Sequence, residues 1–99
     1  MTDTPPRAAC LQEAISLTTG DRFEAYGDPV ASHQHIADIF NAVTGRNLTA
    51  REVALLHQCT KIRRRWNNPL HRDSYVDCAA YTGIEYECAL AEAKEIGLD

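Results

Sequence analysis

Ninety-nine residues, 44% of them hydrophobic, suffice for one domain with one modest core and exclude a second. A formal net charge of -4 argues against a general nucleic-acid binder, although Lys61, Arg63, Arg64, Arg65 and Arg72 gather into a local cationic patch. No stretch approaches the ~18 consecutive apolar residues that span a membrane and the N-terminal residues carry no apolar signal core, so the expected location is the cytoplasm.

Residues 1–6 read as a flexible, proline-bearing tail, and residues 7–99 as a single helical domain. Ala8, Leu11, Ala14 and Ile15 recur at helical spacing, predicting a short first helix that ends before Gly20. Residues 20–29, Gly-Asp-Arg-Phe-Glu-Ala-Tyr-Gly-Asp-Pro, have no usable period and form a structured loop rich in chemical groups. Asp28 followed by Pro29 suits the cap and first position of a second helix, because Asp accepts a free backbone N–H and Pro lacks the donor that goes unpaired there. Ile36, Ile39, Phe40 and Val43 give that helix its apolar face, and Gly45 its end.

Thr49 and Glu52 form a Thr-x-x-Glu capping box, after which Val53, Leu56 and Thr60, beside Leu55, Cys59, Ile62 and Trp66, mark a third helix with a wide apolar stripe. Asn67-Asn68-Pro69 breaks it, since proline neither donates to the helix nor allows its predecessor helical geometry. Arg72 or Asp73 opens a fourth helix carrying Val76, Ala79, Ala80, Gly83, Ile84, Ala89 and Leu90, with Gly97 as its stop. The Gly83 position predicts close helix approach or a bend. The expectation is an all-α, compact four-helix bundle-like domain with a helical hairpin around residues 67–72. A core this small raises the expectation of a homo-oligomer. Cys10, Cys59, Cys78 and Cys88 lie in helical apolar patterns without metal spacing and read as buried free thiols.

Asp73, Asp77, Tyr81 and Glu85 recur every four residues and so share one side of the fourth helix. Two such carboxylates suit Mg²⁺, which keeps several waters and takes one or two carboxylates plus substrate phosphates; they equally suit ion pairs across the hairpin, with Asp73 capping its helix. Folding about residues 69 and 70 puts Asp77 level with about residue 62, making Lys61 its natural neighbour, and leaves Glu52 roughly 20 Å from the turn. His33 and His35, two apart, point in different directions and read as surface residues; His57 lacks a partner at ligand spacing. His71 serves as a turn or capping residue or touches phosphate.

Gly20-Asp21-Arg22, Ala25-Tyr26-Gly27-Asp28-Pro29, Lys61-Ile62-x-Arg64, Asn68-Pro69 and His71-Arg72-Asp73-Ser74-x-Val76-Asp77, followed by Tyr81, together resemble a small domain family of unknown function frequent in phages and prophages. More distantly, the Asp-Ser-x-x-Asp helix and its basic partner helix are similar to the all-α nucleotide pyrophosphohydrolases of the MazG-like type. That similarity implies hydrolysis of nucleoside triphosphates with Mg²⁺, in dimers or tetramers. It implies a metal-associated, catalytic role for Asp73 and Asp77 and triphosphate contacts for Lys61, Arg64 and Arg22. Tyr26, His71, Arg72 and Tyr81 stand in the same motif blocks and complete the expected substrate-binding set. The Glu-x-x-Glu pair that such enzymes place on an adjacent helix has no counterpart here, so further acids are expected from Asp38, the 20–29 loop or a second subunit. The competing expectation is a non-enzymatic helical module that binds a host or phage protein through the basic hairpin or an apolar face.

Overall fold

The computed structural model describes residues 3–20 and 27–97, and among these every regular element is an α-helix. They are α1 (Pro6–Thr18), α2 (Pro29–Thr44), α3 (Ala50–Asn67) and α4 (Arg72–Glu95), in a bundle-like arrangement. No helix among the described residues is long and apolar enough to cross a membrane. Of the 20–29 loop, residues 21–26 lie outside the described residues, and with them Arg22 and Tyr26.

The helix boundaries follow the local chemistry. Asp28 accepts from the Val30 and Ala31 amides and Pro29 takes the first position of α2. Gly45 ends that helix at φ 72°, in the left-handed region where glycine carries no steric penalty, and its amide donates to the Asn41 carbonyl. The Asn41 side chain then clamps the connection to α3, donating to the Leu48 carbonyl and accepting from the Leu48 amide. The capping box closes as expected: Thr49 accepts from the Glu52 amide and Glu52 from the Thr49 amide. At the hairpin, Tyr75 donates to the Pro69 carbonyl and the Arg65 guanidinium sits 5.1 Å above the Tyr75 ring, which ties the last turn of α3 to the first of α4.

The antiparallel hairpin α3–α4 is the spine of the molecule. Ala50 and Ala54 of α3 meet Ile84 and Cys88 of α4 in the core, with Val30 of α2 and Tyr81 packed against them. Small residues at this seam let the two backbones approach closely. α1 lies along the first turns of α4 and contributes one buried side chain, Ala14; the exposed Arg72 pairs with Glu13 across that contact. α2 packs over α3 and α4 through His33 and Ala37.

Several expectations are corrected by the packing. Ile36, Ile39, Phe40 and Val43 do not face the core; they are exposed, and α2 turns its smaller residues inward. Leu55, Leu56, Ile62 and Trp66 of α3 are likewise exposed, because the seam with α4 is built from the narrower alanine edge of that helix. Cys78 and Cys88 are buried free thiols as expected, whereas Cys59 is exposed and Cys10 half-buried. Among the described residues, no side chain or backbone of another element lies within 4 Å of a Cβ added at Gly83, so close packing against them does not explain it.

Candidate functional site

The face of α4 that carries Asp77, Tyr81 and Glu85 is the face turned toward α3, and each of the three meets a partner across the seam. Lys61 Nζ lies 3.2 Å from Asp77 Oδ2, in the predicted register. One turn along, the His57 ring stacks on Tyr81 at 4.5 Å between centroids. A further turn on, Glu85 accepts from Gln58 Nε2 at 2.6 Å and lies 3.7 Å from Arg51 Nη1, while Thr82 donates to Gln58 Oε1. Arg51 also reaches Glu92. From Asp77 to Glu85 the four-residue spacing therefore forms a zipper of cross-helix pairs, and Asp73 stands outside it.

His33 brings α2 into this row. Its ring centroid lies 5.4 Å from that of His57 and 6.0 Å from that of Tyr81, both in edge-on geometry. The side chain is only 6% exposed, which corrects the surface assignment. Position 33 points inward because α2 packs through the 33/37 edge. Nδ1 sits 2.7 Å from the Pro29 carbonyl oxygen, so Nδ1 carries the proton, and the buried Nε2 has no hydrogen-bond partner among the described residues. Burying an imidazole nitrogen without a partner is costly, and the junction of α2, α3 and α4 accepts that cost beside two more polar side chains. Sequence reasoning missed this trio because His33, His57 and Tyr81 stand on three different helices. The available signal was the polar residue at an inward helical position, His33, four before Ala37.

The junction affects titration as well. Burial, then the neighbouring His33 and Lys61, push His57 below its ordinary value of 6.5. A group whose folded pKa is depressed binds its proton more readily in the unfolded chain. Stability is therefore full above pH 6.5 and falls as the pH drops from there through the lower folded value. Urea titrations between pH 8 and pH 5 are expected to show this acid-side loss, reduced in His57→Gln; equal slopes in both proteins would remove His57 from the account.

The remaining predicted residues disperse. Asp73 is exposed in the first turn of α4 and is not its cap, a position held by His71. Asp73 has no ion-pair partner among the described residues. His71 Nδ1 and the buried Ser74 Oγ are hydrogen-bonded at 2.7 Å, fixing the hairpin exit. Arg72 is engaged with Glu13. Arg64 is exposed without an ion-pair partner among the described residues and borders a groove of about 580 Å³ with Leu56, Cys59, Thr60, Arg63 and Asn67. Among the described residues no group of three or more His, Cys, Asp or Glu side chains comes together in a way that could hold a metal ion. With Asp77 turned to Lys61, these residues do not by themselves fit Mg²⁺.

The sequence profile of a family described as a domain of unknown function (DUF6378) matches residues 9–89. The Gene 55 protein of Mycobacterium phage L5 is 34% identical over 83 residues, covering 83% of this chain and 53% of that protein. The Gene 55 protein of Mycobacterium phage D29 is 36% identical over 73 residues, covering 74% and 48% respectively. The chain thus spans about half the length of the curated relatives it matches. No solved structure matches it at a significant level.

Proposed function

The chain belongs to the DUF6378 family of domains of unknown function, so its activity has to be read from its own residues, and we propose that it is a nucleotide-binding domain of the pyrophosphohydrolase-like kind. Phosphates are met by Lys61 and Arg64, three residues apart on α3, and the base by the His57–Tyr81 stack one turn from Lys61. The observation that carries this reading is the α2–α3–α4 junction itself. Two histidines and a tyrosine meet there, with the Lys61–Asp77 pair one turn along the α3–α4 seam, and gathering that many polar groups costs burial energy that apolar side chains would not. Flat rings beside a held cation, Lys61, and an exposed one, Arg64, suit a nucleoside triphosphate: a π face for the base and charge for the phosphates. Any hydrolysis requires acids beyond Asp73 and Asp77, from Asp38, the 20–29 loop or a second subunit.

The test is a thermal-shift series with the ribo- and deoxyribonucleoside triphosphates, with and without Mg²⁺. At a concentration well above Kd, a bound nucleotide raises Tm by several degrees in a domain of this size. No shift with any of them at millimolar concentration refutes the reading.

A second reading, a non-enzymatic module that binds a protein, is favoured by the hairpin tip, where Trp66 and Leu70 are 83% and 92% exposed. Nucleotides then leave Tm unmoved, and binding to a partner protein survives Asp77→Asn but not Trp66→Ala.

A further inference from the structure

α2 is amphipathic in the reverse of the usual sense. The edge it turns to α3 and α4 runs through Val30, His33 and Ala37, while Ile36, Ile39, Phe40 and Val43 form an i, i+3, i+4, i+7 stripe on its outer flank. Ile39 is 65% and Val43 80% exposed. A helix lying on water carries charge on its outer face, but α2 has one charged residue in sixteen, Asp38. Asp38 lies on the flank away from the stripe, where Gln34 donates to it.

The whole chain shows the same deficit of burial. It exposes 7266 Å², whereas a folded monomer of 11.0 kDa exposes about 5,600 Å². Its radius of gyration is 15.2 Å, against about 13 Å for a domain of 100 residues. The excess surface, on the order of 1,600 Å², is spread over several helices, and the ~800 Å² per partner of a standard stable interface accounts for about half of it.

We infer that the outer stripe of α2 is the interface of a two-fold homodimer, in which Ile36, Ile39, Phe40 and Val43 pack against the same four residues of a second copy. The occupant is a second copy for three reasons. The missing burial is needed as soon as the chain folds, and an identical chain is always present then. A stripe made of one kind of residue is complementary to itself, as an isologous contact requires. Two chains of net charge -4 repel, and the uncharged stripe is where they approach at least electrostatic cost. This inference is independent of the nucleotide reading, because its test reads mass and not ligand binding.

Sedimentation or light-scattering mass of the purified full chain, at micromolar concentration, is expected to be that of a dimer. Ile39→Glu and Val43→Glu are expected to give monomers. Ile39→Ala and Val43→Ala keep strong helix propensity and are expected to raise the dimer Kd at least tenfold while the helical circular dichroism is retained. Trp66→Glu, at the hairpin tip, is expected to leave the dimer intact. A monomeric wild type, or alanine and glutamate variants that still associate like wild type, would overturn the inference. A dimer broken by Trp66→Glu but not by Val43→Glu would overturn it too, by moving the interface to the hairpin.

Discussion

Ile84→Ala is expected to destabilise the protein by about 2–5 kcal/mol, the range for removing a buried aliphatic side chain and leaving part of its volume empty. Ile84 is the largest buried side chain in a cluster whose other buried members are Ala50, Ala54 and Cys88, with Val30 and Tyr81 packed against it, and the small buried members refill only part of the space. Against a total stability of roughly 5–15 kcal/mol for a domain, that loss is a large fraction. Urea unfolding at a fixed protein concentration measures it, the concentration being held because association shifts the apparent stability. A loss below about 1 kcal/mol, the scale of an ordinary surface substitution, would mean that the α3–α4 seam is not the centre of the core.

The second large effect concerns the Lys61–Asp77 pair, and a double-mutant cycle separates its structural role from its functional one. Both side chains are less than one third exposed and lie 3.2 Å apart. Lys61→Met and Asp77→Asn are each expected to cost about 1–2 kcal/mol of stability, because each strands a partly desolvated charge, and the double variant is expected to recover part of that loss. Nucleotide affinity splits the two residues differently. Lys61→Met is expected to weaken triphosphate binding roughly tenfold or more, the worth of one charged hydrogen bond, whereas Asp77→Asn frees Lys61 and does not weaken it. If Asp77→Asn instead abolishes a Mg²⁺-dependent nucleotide effect, Asp77 acts on a metal and the binding scheme proposed above is wrong.

The hairpin is the part of the site that the sequence made legible. Proline at 69 fixes where α3 stops, the four-residue period fixes which side chains of α4 share a face, and antiparallel counting from the turn pairs Lys61 with Asp77. Local rules also place the caps at Asp28, Thr49 and Gly45, since a cap depends on residues within one turn of itself. The junction was not legible, because it depends on which edge of α2 meets the hairpin. Periodicity selects the stripe Ile36, Ile39, Phe40 and Val43 as the buried face and leaves His33 outside. In the fold the opposite holds: His33 and Ala37 are buried and the stripe is exposed. The period was right and its direction was not, because an apolar stripe left on the surface has the same spacing as one that packs on its own chain.

The sequence by itself determined that the chain is helical, where its described helices begin and end, and that Lys61 meets Asp77. All three rest on short-range backbone chemistry or on the register of a tight turn, both of which operate within a few residues. Only the tertiary structure decided that the carboxylate face of α4 is a paired seam, that His33, His57 and Tyr81 meet at one junction, and that the largest side chains of α2 are left on the surface. Those outcomes depend on how helices far apart in sequence pack, where small residues such as Ala37, Ala50 and Ala54 permit the close approach that larger neighbours would block.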